Sequence, residues 1–362
     1  MSIEKLTVFD FRNLASDPIE LNDSINFIIG DNGSGKSSLL EAIFYLGHGK
    51  SFRTSQVENL VTHNKTKFIV SAKDTNALQL GVAKDFKTGV TEIKIAGEKH
   101  RQLSQLAKNI AVQVITPESF KLFFGGPKQR RRFIDLGLFH VKQSFSDSWK
   151  EFSRISKQRN ACLRNRVDNE TLNYWTNIFC ESSVKVARLR DEYIKKLSLE
   201  LQPWLELMLP SLADDISISY MQGWNSKKSL KDVLLQNKER EIKSGFSLYG
   251  AQKFDVKFLT GNVVIDNQLS RGQQKLFLLA LTFAQAKLIE KVKRVKPILL
   301  IDDVGAELDF NSRTLLNNAI NKLNCQVIIT AIDKTAVEPL VPTDNNYKMF
   351  HVKHGQISAI GK

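Results

Sequence analysis

The chain has 362 residues, 42% of them hydrophobic, and sets 52 Lys and Arg against 38 Asp and Glu for a formal charge of +14. That length calls for one large or two unequal cores, and the longest apolar runs, such as Pro297 to Ile301, stop far short of the ~20 residues that cross a bilayer. Met1 to Leu6 lacks the basic start and apolar run of an export signal, and three cysteines and six histidines without metal spacing fit a reducing compartment, so a cytoplasmic protein without a membrane span is expected.

Leu6 and Val8 alternate with Thr7 and Phe9, and Ile25 to Ile29 is almost wholly apolar; both runs predict strands. The loop Gly30-Asp31-Asn32-Gly33-Ser34-Gly35-Lys36-Ser37 follows, after which Leu39, Leu40, Ile43, Phe44 and Leu46 recur at helical spacing. Strand, loop and helix thus come in the order that a phosphate-binding loop requires. Short alternating runs between Thr66 and Ala96 predict an antiparallel meander. Apolar residues then recur about once a turn from Ser144 to Arg166 and from Leu172 to Leu209, which predicts two long helices. No heptad is sustained, so no long coiled-coil arm is expected.

Strand patterns return at Lys253 to Leu259 and Val263 to Asp266. A helix from about Arg271 to Glu290, a strand at Ile298 to Ile301, a helix from about Asn311 to Leu323, a strand at Gln326 to Thr330 and a terminal hairpin complete the pattern. The fold class is therefore α/β: a head built from residues 1–120 and 251–362, with a mainly helical domain inserted at 121–250.

Three motifs carry the chemistry. In Gly30 to Ser37 the glycines let backbone N–H groups face phosphate oxygens, Lys36 supplies the counter-charge, and the helix start at Ser37 and Ser38 adds its positive dipole end. ATP is the expected ligand, bound through Gly30, Asp31, Asn32, Gly33, Ser34, Gly35, Lys36, Ser37 and Ser38. Ile298 to Ile301 ends in Asp302-Asp303, a buried strand delivering two acids: Asp302 to hold Mg2+ with the Ser37 hydroxyl, Asp303 to polarise the attacking water. Leu269-Ser270-Arg271-Gly272 opens a helix and presents a second anion site, although by itself Ser270 reads equally as a helix cap.

Together these elements resemble the ABC-type ATPases. The resemblance implies that Ser270 and Gly272 act in trans on nucleotide held by a second copy, that ATP locks a homodimer, that Gln113 contacts the metal and that Glu307-Leu308-Asp309 lines the dimer contact. Phe11-Arg12-Asn13-Leu14, Gly49 to Thr54, Ile115 to Glu118, Gly125 to Asp135, Leu269 to Lys275 and Met349 to Val352 narrow the likeness to the RecF family of bacterial recombination mediators. Membership implies DNA binding when dimerised, action at single-strand gaps or junctions in replication, repair and the SOS response, and RecR-like and RecO-like partners that help place the recombinase.

The chain departs from that family at Gly250-Ala251-Gln252-Lys253, where Gly-Pro-His-Arg is usual. No histidine follows Thr330, which leaves Thr330 as the substitute phosphate sensor. Asp303 is one methylene shorter than the glutamate common in ABC ATPases, so slow hydrolysis is expected.

Between Gly125 and Arg166 stand 11 basic and 3 acidic residues, which puts more than half of the net charge in about one ninth of the chain. Lys150, Arg154, Lys157 and Arg164 share a helix face, and the first three with Lys128, Arg130, Arg131 and Arg132 form the candidate DNA surface, insensitive to base sequence and weakened by salt. No aromatic platform for single-stranded bases is legible, since Phe145 and Trp149 read as core. Three other functions fit parts of this pattern: the ATPase subunit of a transporter, a small-molecule phosphotransferase, and a structural DNA clamp that does not hydrolyse.

Overall fold

The computed structural model describes residues 2–119, 126–293 and 296–360; Gly125, part of one family pattern, lies outside them. The strands β1 (Ile3–Phe9), β2 (Ile19–Glu20) and β3 (Ile25–Ile29) lead into α1 (Lys36–His48). β4 (Lys67–Asp74), β5 (Gln79–Asp85), β6 (Thr91–Ile95), β7 (Glu98–His100), α2 (Ser104–Asn109) and β8 (Val112–Ile115) follow. Next come α3 (Pro127–Val141), α4 (Gln143–Asn165), the 40-residue α5 (Asn169–Met208), β9 (Ile216–Met221), α6 (Leu230–Gln236), α7 (Lys238–Ser244), β10 (Asp255–Thr260) and β11 (Val263–Val264). The rest is α8 (Arg271–Lys293), β12 (Ile298–Ile301), α9 (Val304–Glu307), α10 (Phe310–Ile320), β13 (Gln326–Ala331), α11 (Lys334–Val337), β14 (Tyr347–Lys353) and β15 (Gln356–Ile360). No helix among the described residues is long and apolar enough to cross a membrane.

Two compact units divide the chain. One holds the described residues up to Ser119, Leu207–Leu209 and those from Ser270 onward; the other holds Gly126 to Glu206 and Pro210–Leu269.

The first unit contains two six-stranded sheets. One runs in the order β15-β14-β3-β13-β12-β8, parallel from β14 to β8 with β15 antiparallel at its edge; the other is an antiparallel sheet in the order β2-β1-β4-β5-β6-β7. β3, β12 and β13 are buried at every position, as expected of parallel strands covered on both faces. α1 is buried on nearly all sides. Its Leu39, Leu40, Ile43 and Leu46 join one core with Ile28, Ile298 and Leu300 of the parallel sheet and with Leu6, Val8, Phe68 and Val70 of the antiparallel one. At roughly 1.5–3 kcal/mol for each such side chain, this core fixes α1, and with it the loop at its N-terminus, at the carboxyl edge of β3.

The second unit combines α3 to α7 with a three-stranded antiparallel sheet ordered β11-β10-β9. Here the structure departs from the expected boundary at residue 250. β10 and β11 belong with the insert because their partner β9, which the helical reading passed over, lies inside it: Phe258 pairs with Ile218 and Lys257 with Ser219.

Candidate functional site

The loop after β3 turns on glycines with positive φ at Gly33 (80°) and Gly35 (124°). The Lys36 ammonium folds back over the loop, donating to the carbonyls of Gly30 (2.5 Å) and Asp31 (2.9 Å). Burial holds it below its ordinary pKa against the pull of Asp303, Asp302 and Asp31. A cation kept dry and satisfied only by loop carbonyls is poised to exchange them for phosphate oxygens.

Asp302 leaves β12 at its carboxyl end, where its N–H donates to Ile115 O of β8 (2.9 Å). Its Oδ1 accepts from the hydroxyls of Ser37 (3.0 Å) and Thr330 (2.7 Å), which joins the loop, β12 and β13 at one atom. Burial pushes the Asp302 carboxyl above its usual range, and the two hydroxyls only partly pull it back. Asp303 sits in the left-handed region (φ 54°), its N–H held by Thr330 Oγ1 (2.8 Å), while its buried Oδ1 has no hydrogen-bond partner. Strain and an orphaned acceptor at one residue are features that functional sites tolerate. Ser37 Oγ and Asp302 Oδ1 form a hard-oxygen pair that suits Mg2+, and the loop suits the phosphates of ATP.

Thr330 bridges both acids, its Oγ1 donating to Asp302 Oδ1 and accepting from Asp303 N. Gln113 does not reach the site. It pairs in register with Leu299, in the interior of the parallel sheet, and donates to Gln285 Oε1 of α8 (2.9 Å) while 4% exposed. Its expected metal contact is corrected for that reason: Ile115, not Gln113, stands at the strand's carboxyl end. Ser270 caps α8 through a reciprocal box, its N–H donating to Gln273 Oε1 (2.9 Å) and its Oγ accepting from Gln273 N (3.3 Å). Its hydrogen bonds are all local to that first turn, and its side chain is exposed.

Several supporting residues had no assigned role in the sequence reading. Asn13 clasps the loop, donating to Gly33 O (3.1 Å) and accepting from Ser38 Oγ (2.9 Å). Arg12 forks onto Glu41 of α1 (2.9 and 3.0 Å), whose carboxylate is fully buried and also accepts from Ser51 Oγ. Arg53 stands 3.8 Å from the same carboxylate and is close enough to Asp302 to lower its pKa. The available signal was an acid inside an otherwise apolar helix. Gly355, at the tip of the β14–β15 hairpin, donates to Ser34 O (2.8 Å), and at φ 82° a Cβ there would lie 1.7 Å from Asn13 O.

The expected DNA surface divides. Lys128, Arg132, Lys150, Arg154 and Lys157 are exposed. Arg130 is instead chelated by Asp255 (3.1 and 2.9 Å), Arg131 donates to Phe254 O (3.2 Å), and Arg159, counted in the charged stretch, is buried on Glu241 (2.6 Å). Arg130 and Arg131 are thus corrected from surface contacts to internal ones, since Asp255 of β10 and Phe254 just before it supply acceptors that sequence distance concealed.

A family model described as the RecF/RecN/SMC N terminal domain matches residues 2–358. The chain is 59% identical over 367 residues to the DNA replication and repair protein RecF of Colwellia psychrerythraea, covering 99% of this chain and 97% of that one. A solved structure of the recombination mediator protein RecF with ATP in the RecFOR pathway superposes with a TM-score of 0.86 at 23% identity, covering 99% and 98% of the two chains. An SMC head bound to the C-terminal winged-helix domain of ScpA gives 0.55 at 17% identity, covering 99% and 97%.

Proposed function

The chain belongs to the RecF/RecN/SMC N-terminal-domain family, and from that premise we propose that it is an ATP-gated DNA-binding protein of replication and recombinational repair. ATP binding between two copies locks a dimer, the dimer holds DNA at single-strand gaps or junctions, and RecR-like and RecO-like partners join it there to place a recombinase. The observation that carries this reading is the convergence of the Ser37 and Thr330 hydroxyls on one carboxylate oxygen of Asp302, beside Lys36 and the unpartnered Oδ1 of Asp303.

Lys36 gives up the Gly30 and Asp31 carbonyls to bind phosphate oxygens; Ser37 and Asp302 would hold Mg2+. Bound ATP supplies the phosphoanhydride, and Mg2+ held there would screen its charge. Asp303 orients water from a strained backbone, and its short side chain makes hydrolysis slow, which suits a timed release. The exposed Ser270 hydroxyl and Gly272 N–H are available to the second copy's nucleotide. A 59% identical relative named for replication and repair supports the assignment.

Lys36→Met tests it. Sedimentation with and without ATP, run alongside binding to gapped, single-stranded and duplex DNA, is expected to show an ATP-dependent dimer and ATP-dependent DNA binding in the parent and neither in the variant. Monomeric, ATP-independent DNA binding by the parent would overturn the proposal.

A further inference from the structure

We propose that the second unit carries a separate site for unstacked bases of single-stranded DNA, in a groove between β9 and the Gly250 to Lys253 segment. The inference rests on the reading that DNA is this protein's ligand, and adds where and how a single strand is told from a duplex.

The groove has a volume of about 880 Å³ and draws its aromatic walls from three separated places: Tyr220 at the end of β9, Trp224 in the loop beyond it, and Tyr249 before β10. Two glycines hold those loops together. Gly250 N donates to Gly223 O (3.3 Å), and a Cβ on Gly223 (φ 102°) would lie 2.2 Å from Gly250 O. Gln252 donates to the carbonyls of Ser247 (3.3 Å) and Tyr249 (3.0 Å), and buried Arg190 donates to Ala251 O (2.6 Å). Ala251 and Gln252, which replace the family's Pro and His, are thus scaffold residues for Tyr249, and Lys253 retains a cation at the rim.

The two tyrosines are fixed from behind, Tyr220 OH donating to Ala187 O (3.2 Å) and Tyr249 OH to Asn237 Oδ1 (3.4 Å). Trp224 is half-buried, and its side chain has neither a hydrogen bond nor a ring partner among the described residues. A tryptophan left in this state beside two fixed rings is a stacking surface awaiting a flat ligand.

Charge selects which ligand. The acid in the lining, Asp191, is balanced by Lys195 (2.7 Å), and Arg188 by Glu192 (3.0 Å). Lys253, and Lys227 and Lys228 in the loop after Trp224, have no acidic partner among the described residues. Rings flanked by unbalanced lysines match a base with its phosphate. A duplex buries the faces that such rings need, so the groove takes only a single strand.

The full-length chain with ATP is titrated with fluorescein-labelled oligo-dT and with a blunt duplex across a salt series. Trp224→Ala combined with Tyr249→Ala is expected to weaken oligo-dT binding about tenfold with duplex affinity and salt slope unchanged. Trp224→Phe is expected to retain most of the affinity while removing part of the quenching of tryptophan emission, and Lys253→Ala to lower the salt slope by about 1. Should the double variant fail to fold, as judged by circular dichroism, these two single variants decide.

Oligo-dT binding indifferent to all these changes would overturn the groove, as would an acidic, aromatic peptide quenching Trp224 where oligo-dT does not. A parent chain that binds no DNA of any kind with ATP would instead overturn the broader reading first, so the two failures are distinct.

Discussion

Glu41 shows how one side chain can hold a site it never touches. Its fully buried carboxylate gathers Arg12, Ser51 and, at longer range, Arg53, and so ties the turn carrying Asn13 and the loop carrying Arg53 to the helix that begins the phosphate loop. Removing one member of a buried ion pair leaves the other charge uncompensated, at a cost of about 3 kcal/mol. Glu41→Ala is accordingly expected to lower the thermal midpoint by several degrees and weaken fluorescent ATP-analogue binding, with Glu41→Gln retaining part of both because it can still accept from Arg12. Binding of the analogue at parental affinity by a folded Glu41→Ala chain would contradict this. Local spacing made Lys36, Ser37 and Asp302 legible, because loop and strand motifs are contiguous. Glu41 was not assigned, and Thr330 was named only for want of a histidine: each acts through a partner that only folding brings near.

The helices and strands of the phosphate loop were legible for the same reason: β3, α1, β12 and β13 are long runs with one period and one burial pattern. The short strand β9 was not, because Ile216 to Met221 follows two long helices and finds its partner β10 across two further helices. That omission misplaced the boundary, since β10 goes with β9; the acceptors of Arg130 and Arg131, Asp255 and Phe254, stayed hidden because they lie more than 120 residues away in sequence. What remains of the basic surface is Lys128 and Arg132 on α3 and, on α4, the solvated Lys150, Arg154 and Lys157. Replacing Arg154 and Lys157 together by Glu is expected to weaken duplex binding and reduce the salt slope by about 2, one per lost phosphate contact. An unchanged slope in a filter-binding series would remove α4 from the DNA surface.

Each unit has its own interior, and the second buries a cation, Arg190, among its apolar side chains. Arg190, with a fully buried side chain, forks onto Asp135 (2.9 and 3.0 Å), donates to Ala251 O, and lies over the rings of Phe254 (3.7 Å) and Trp149 (5.0 Å). Arg190→Ala is expected to destabilise that unit by about 3–5 kcal/mol, since Asp135 loses its partner and the rings lose their cation. Nucleotide affinity is expected to hold, because every residue of the loop site belongs to the first unit; calorimetry with and without an ATP analogue distinguishes the two effects. The hairpin clasp on the loop carries a consequence for synthesis. Gly355, which seals Ser34, leaves the ribosome about 320 residues after the loop it holds. A growing chain therefore carries its phosphate loop long before that loop has its last contact, and the loop's set of hydrogen bonds is complete only when the β14–β15 hairpin has been translated.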